Sequence, residues 1–288
     1  MSKIEYAFAT STKSLGDYFS GLFYLSWNNF FWWFIGISLF FWLLEIIIPW
    51  RKKQSIFRKD FFLDGFYMFF NMYILPVIGL NFVANLVNTY FLGLLAGIGI
   101  TRLDIFNLST VPEGLQLVIL FIVRDFIHFN IHRLLHRVNW MWEFHKVHHS
   151  VKEMGFAAHL RFHWVEGIFY QMLQFVPLAL LGLSVTDFTI LFIFTLAIGH
   201  SNHSNYSVPL GWLKYILNNP QMHIWHHTKD TTHKFGVNFG LTLSLWDYLF
   251  KTNYIPADGR DISLGFDGDK KFPAGLLKQF SWPLIKNK

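Results

Sequence analysis

The strongest constraint on this chain is where charge is missing. Between Asp17 and Arg51 the only charged side chain is Glu45, and from Gly65 to Thr101 there is none. A bilayer core offers no partner to an unpaired backbone group, so a run of about 20 apolar residues crosses it as a helix. Trp27 to Ile48 supplies such a run, closed by Pro49 and by the basic residues Arg51, Lys52, Lys53, Arg58 and Lys59. The composition agrees, with 53% hydrophobic and only 15% charged residues, whereas soluble domains carry about 25% charged. The net charge of +6 is therefore assigned to the flanks of membrane spans rather than to nucleic acid binding.

The remaining apolar blocks set the expected topology. Gly65 to Thr101 is interrupted by Pro76, Asn81, Asn85 and Asn88; one span with an irregular segment and a tight hairpin both fit it, and one crossing is preferred because it keeps the His-rich segments on one side. Leu115 to Val123 continues without Gly or Pro to His136, which predicts a helix over Pro112–Val138, roughly 40 Å long, that crosses and then projects. Gly167 to His200 carries only Asp187 as an acid or base outside His200, with Gly182 near its middle, which predicts two short helices in a hairpin. The basic run after the first span places the first loop in the cytoplasm. Counting spans from there puts every His-rich segment on the same cytoplasmic face. Met1 to Ser26 lacks the features of a signal peptide. The expected fold is all-α: an integral membrane helical bundle of four to five crossing or re-entrant helices with a His-rich cap. Its expected units are a membrane region (1–113), a catalytic domain (114–253) and a C-terminal tail (254–288).

The chain has 14 His and no Cys. Thiolate nucleophiles, zinc fingers and Cys-ligated iron–sulfur clusters are excluded, so a metal site must use imidazole and carboxylate. Asp125, His128, His132 and His136 are spaced by three, four and four and form one helical stripe. His145, His148 and His149 form an HxxHH motif, and His223, His226 and His227 repeat it 78 positions later. Chance would supply about 0.03 such copies in a chain of this His content. His200 and His203 lie between them. In a helical HxxHH the adjacent pair diverges by about 100°, so one motif can serve two neighbouring metal ions. The two motifs, the His132 and His136 pair, and His200 make nine imidazoles, too many for one ion and suited to a dinuclear centre. His163 and His203 are candidates for a tenth ligand. His128, His159 and His233 are read as polar groups at a wet boundary or as supports for the ligands. Imidazole suits Zn, Cu, Fe and Ni alike. The ExxH pattern of soluble carboxylate-bridged di-iron proteins and the HExxH pattern of zinc proteases are both missing.

Taken together, these segments resemble the fatty acid hydroxylase and sterol desaturase superfamily. The resemblance rests on Asp125 with His132-Arg133 and His136; Trp142 with His145 and His148-His149-Ser150; and Arg161-Phe-His163 with Glu166. It continues through His200-Ser-Asn202, Asn219-Pro220 with His223 and His226-His227, and Asn238-Phe-Gly240 leading to Trp246-Asp247 and Phe250. It covers roughly Val118 to Thr252 and implies two non-haem iron ions, O2 as co-substrate and a lipid substrate. It places the metal ligands on His132, His136, His145, His148, His149, His200, His223, His226 and His227. Three departures stand out: Lys251 where the family usually has Gly, Trp164 in place of a Pro, and the extra His203.

Asp125, Glu143, Glu166, Asp230 and Asp247 are candidates to accept the second ring N–H of the ligands. No GxGxxG or P-loop is present, so electrons are expected from an external donor of cytochrome or ferredoxin/reductase type. The expected reaction is hydroxylation or desaturation of a fatty acyl, sterol or ether-lipid C–H bond. Two other readings use the same histidines: a membrane carrier of metal or haem, and a di-zinc lipid hydrolase.

Overall fold

The computed structural model describes residues 20–27, 29–75, 93–99, 111–181, 185–229 and 232–285, with Tyr90 and Leu108. Among these residues the secondary structure is helical, with no strand and two isolated bridges, Leu217 to Leu243 and Thr228 to Leu264.

Helix α1 (Phe30–Ile47) begins where the Asn29 side chain accepts the Phe31 N–H, and it ends just before Pro49. The residue before a proline is pushed out of the helical region, and Ile48 has φ −129° and ψ 53°. Leu39, Phe40, Leu43 and Ile47 of α1 are each more than half exposed, the arrangement expected of a surface that meets lipid. Glu45, the lone acid of this stretch, faces inward and accepts the backbone N–H groups of Phe156 and Asn205 at 2.7 and 2.8 Å. The charge that interrupts the span is thus a strut to the His-rich cap.

Helix α2 (Phe61–Phe69) runs into a π-helical turn, Phe70–Ile74. That turn aims Asn71 Nδ2 at the carbonyls of Leu160 and Phe162, 2.8 and 2.9 Å away. At the other end of α2, Asp64 is fully buried between Arg58 (2.6 Å) and Arg161 (3.0 Å). Burying these charges is tolerable because each is paired and hydrogen-bonded.

Helix α3 (Glu113–Arg137) lies within one residue of the expected bounds at each end, and its 25 residues give a length of about 38 Å. Helices α1 and α3 are the two described helices long and apolar enough to cross a bilayer. About half of the expected second span, including residues 76–89, lies outside the described residues, as does Gly182. Helix α4 (Asn139–His149) follows α3 after an extended Val138 (φ −96°, ψ 111°), which turns the chain so that α4 packs back on α3. Helices α5 (Trp164–Leu180) and α6 (Val185–His203) flank residues 182–184, in keeping with the expected pair. The cap is completed by α7 (Pro220–His226), α8 (Leu245–Leu249) and α9 (Leu276–Ser281), joined by 3-10 turns at Phe156–Leu160, Gly211–Tyr215 and Asp269–Lys271.

Two apolar clusters hold the cap in place. Phe34, Phe41, Met68, Phe156, Leu160 and Leu196 join α1, α2 and α6 to the 156–160 turn. Val151, Met154, Ala158, Ile224, Trp225 and Leu264 fill the space behind α7. Residues 254–285 are packed into this cap: Asp269 pairs with Lys152 and Lys229, and the Phe280 carbonyl accepts from His163 Nε2 and Trp164 Nε1.

Candidate metal centre

Nine histidines converge in two adjoining groups. His132, His136, His145, His149 and His226 form the first, and His148, His203, His223 and His227 the second; in each, the nearest ring nitrogens lie within 4.8 Å of one another. The two HxxHH motifs are interleaved. On α4 the i and i+4 residues, His145 and His149, enter the first group while His148 enters the second. On α7 the assignment is reversed: His223 and the C-capping His227 enter the second group and His226 the first. This is the division that the divergence of adjacent helical side chains predicts. The rings of His149 and His227 stack at 4.6 Å and so hold the groups side by side.

The local sequence explains the convergence. The turn at Val138 folds α4 against α3, bringing His145 and His149 beside His132 and His136. Asn219 caps α7 by accepting the Met222 N–H at 2.8 Å, with Pro220 in the first turn. Asn238, in the left-handed region at φ 53°, donates to the carbonyls of Met222 and Tyr254 and so ties the 237–240 loop to α7.

The hydrogen bonds of the outer ring nitrogens show what the inner ones can do. His132 Nδ1 donates to the Phe239 carbonyl (2.9 Å), His148 Nδ1 to Arg161 (3.1 Å), His203 Nδ1 to Gly199 (2.8 Å) and His226 Nδ1 to Val237 (2.7 Å). A carbonyl only accepts, so each of these Nδ1 atoms carries the proton and each neutral ring presents an Nε2 lone pair. His145 Nδ1 lies 3.0 Å from Glu166 Oε1, and an ionised carboxylate there selects the same tautomer. The Nε2 atoms then meet one another: His132 and His145 at 3.2 Å, His148 and His203 at 3.4 Å. Burial pushes the His148 imidazole down to about 3, and it lowers His145, His149, His223, His226 and His227 well below their usual range. Burial thus disfavours a proton that would bridge these lone pairs.

Facing lone pairs in a buried site repel, and a shared cation removes the conflict. Their spacing is that of neighbouring ligands on an ion bound to imidazole nitrogens at about 2.0–2.1 Å. His226 Nε2 is also buried without any protein partner. The donor set fits two ions held by nitrogen alone.

Eight of the nine positions implied as ligands by resemblance lie in these groups. The ninth, His200, does not: its Nε2 is 3.1 Å from Ser38 Oγ and its Nδ1 is 3.0 Å from His159 Nδ1. His203, one turn further along α6, takes the place instead. His163, the other candidate for a tenth ligand, is also outside, its two nitrogens engaged by the Phe280 carbonyl and the Val165 N–H. His128 stacks on Tyr170 at 4.6 Å, and His233 is exposed beside Tyr254.

The acids divide differently from the expectation. Among the described acids, only Glu166 pairs with a ligand ring. Asp125 takes the backbone N–H groups of Thr242 and Leu243 and the Trp246 indole N–H. Asp247 takes those of Phe239 and Gly240 and the Thr252 hydroxyl. Both therefore shape the loop whose carbonyls orient His132 and His226. Glu143 pairs with Lys146 at the half-exposed edge of α4 and does not reach a ring, and Asp230 lies outside the described residues. The ring acceptors that sequence reasoning missed are main-chain carbonyls, which no side-chain pattern marks. Lys251, standing where the family usually has Gly, takes the left-handed conformation at φ 56°, so the turn forms despite the side chain.

A model of the fatty acid hydroxylase family matches residues 117–252, the stretch that holds both histidine groups. Over that stretch, just under half of its length, the chain resembles the fatty acid hydroxylase and sterol desaturase superfamily. The chain is 32% identical over 175 residues to an ornithine lipid hydroxylase of Rhizobium tropici, covering 61% of this chain and 52% of that one. It is 30% identical over 137 residues to an alkylglycerol monooxygenase of Xenopus tropicalis, covering 46% and 29%. It is 31% identical over 142 residues to a very-long-chain aldehyde decarbonylase of Oryza sativa subsp. japonica, covering 48% and 46%. The match thus spans about half or less of the length of these relatives. No solved structure matches the chain.

Proposed function

We propose that this chain is an integral membrane oxidoreductase that uses O2 to hydroxylate or desaturate a lipid C–H bond, with two non-haem iron ions as its metals. The observation that carries the proposal is the pair of abutting histidine groups with Nε2 lone pairs turned inward. His132, His136, His145, His149 and His226 would hold one ion, and His148, His203, His223 and His227 the other. Iron bound there would supply the reduction of O2 and the oxidation of an unactivated C–H bond.

The protein's own part is orientation and exclusion of water. Carbonyls of Gly199, Arg161, Val237 and Phe239, with the Glu166 carboxylate, fix the tautomer and the plane of five rings. Second-partner hydrogen bonds of this kind hold ligands in register and raise their basicity. The surrounding helices keep the groups buried, so reactive species formed in the site would be shielded from bulk water. The apolar faces of α1 and α3 supply a route for a lipid substrate from the bilayer, in keeping with the lipid substrates that the relatives' names carry. Fatty acyl, sterol and ether lipids all fit this reading.

Residues 114–253 would form the catalytic domain, 1–113 its membrane region and 254–288 its tail. The basic run Arg51 to Lys59 favours a cytoplasmic catalytic face, where an external cytochrome or ferredoxin/reductase could deliver electrons.

Metal analysis together with lipid turnover tests the proposal. The expected result is two iron ions per chain and a hydroxylated or desaturated lipid formed only in the presence of O2 and a reductant. Redox-inert zinc with ester cleavage would establish the hydrolase reading instead. Reversible metal uptake with no lipid product would establish the carrier.

A further inference from the structure

Helix α3 exposes Leu115, Val118, Ile122 and Phe126, which are 53%, 50%, 42% and 37% accessible. Their spacing of three, four and four makes one stripe along the helix. The foot of that stripe is occupied by the cap. Trp246 packs on Phe126 with ring centres 4.9 Å apart, Phe250 packs on Phe129 at 5.4 Å, and the Arg133 guanidinium sits 4.9 Å over the Phe250 ring. A hydrocarbon layer of about 30 Å corresponds to about 20 helical residues. Counted from the first turn of α3, it ends close to Arg133. Helix α8 therefore flanks α3 at the depth where hydrocarbon gives way to headgroups.

The outer surface at this level is apolar and aromatic. Trp212, Tyr215, Leu249 and Phe250 are 70%, 52%, 61% and 43% exposed. They form one face because the 211–216 turn is fastened to α8: Ser244 Oγ donates to the Lys214 carbonyl at 2.7 Å, and the Tyr215 and Tyr248 rings meet at 5.0 Å. Two cations of this face lie over its aromatic rings, Lys214 over Tyr215 and Arg133 over Phe250, and Lys251 at its edge is exposed. Aromatic rings mixed with long basic side chains are the signature of a bilayer interface, where the rings sit among headgroups and the cations reach toward water.

We infer that the face built from residues 211–216 and 245–251 is seated in the headgroup region of the bilayer, making the catalytic cap a second membrane contact beside the spanning helices. The occupant is lipid because the face continues the exposed stripe of α3 at the same side and at interfacial depth. The inference is independent of the metal's identity and of the reaction.

The absence of Cys from the chain allows a direct test. Single substitutions W212C, Y215C and L249C in the full chain are spin-labelled and reconstituted into phosphatidylcholine and phosphatidylglycerol vesicles. F40C on the exposed side of α1 serves as the bilayer reference, and K270C on the exposed 269–271 turn as the aqueous one. Collision rates with O2, which concentrates in lipid, and with a charged nickel chelate, which stays in water, are then compared. The three face labels are expected to show an O2-to-nickel ratio several-fold above that of Lys270→Cys and a nickel rate several-fold below it. A nickel rate equal to that of Lys270→Cys overturns the inference, because the face is then in water. Low collision rates with both reagents also overturn it, because the face is then covered by protein.

Discussion

Glu166 offers the sharpest test of how the site is held. Its Oε1 lies 3.0 Å from His145 Nδ1 in a buried setting, and it is the one carboxylate among the described acceptors of ligand rings. Replacing it with Gln keeps an oxygen of nearly the same shape but removes the charge that a carboxylate would place behind His145 once that ring binds a metal. Replacing it with Ala also strands the His145 N–H without an acceptor. Losing a partner of this kind typically weakens metal binding by about 10–100-fold, or about 1.4–2.7 kcal/mol. The charge and the hydrogen bond are removed in succession, so Glu166→Gln is expected near the lower figure and Glu166→Ala near the upper. Metal retention against a graded chelator, in protein whose helix content is checked by circular dichroism, reads the effect directly. If both variants retain metal as the parent does, or if Gln and Ala are equally impaired, the orienting role assigned to Glu166 is wrong.

Other expectations follow from the same geometry. His203→Ala should lose metal from the second group while His200→Ala keeps a full complement, measured by elemental analysis of the purified variants. Gly236 has φ 80°, and a Cβ there would sit 2.9 Å from His136 Nδ1. Gly236→Ala should therefore lower stability by about 1–2 kcal/mol through the left-handed backbone alone, seen as a lower unfolding temperature, and should loosen metal binding at the first group. Stripped of metal, the protein should be acid-sensitive. His145, His148, His149, His223, His226 and His227 are held neutral by burial but take up protons near pH 6.5 once unfolded. Their contribution is complete above pH 6.5 and falls as the pH drops toward 3, by about 1.4 kcal/mol per pH unit for each histidine. A titration of unfolding free energy with pH should show uptake of several protons, and uptake of fewer than two would contradict their buried, neutral state.

Most of the helical framework was legible in the sequence because it follows from local rules. The bounds of α3 are marked by Pro112 and by a stretch without Gly or Pro that reaches His136, and the break between α5 and α6 by Gly182 near the middle of its apolar block. The division of each HxxHH between two groups was equally readable, since it depends only on helical geometry. What escaped was whatever depends on a neighbour in space. His200 and His203 both end α6, and nothing in their spacing reveals that Ser38 of α1 and His159 engage the first of them. Asp125 and Asp247 have the side chains expected of ring acceptors, yet they bind backbone N–H groups of the 239–246 region and leave the rings to carbonyls. The buried Arg161 was readable as a family residue but not as the partner of Asp64, because their meeting depends on how α2 packs against the cap.

The interleaving of α4 and α7 has a consequence for how such a site can be assembled. Each helix owns ligands of both groups, so fixing the rotamers and helix positions of one group also fixes three rings of the other: three of four in the second group, three of five in the first. Most of the ordering entropy is then spent at the first binding event, and the second ion meets a prepared shell, which is positive cooperativity without any further change of shape. Half-filled protein should accordingly be scarce at equilibrium. A lesion in either helix acts on the pair as a whole.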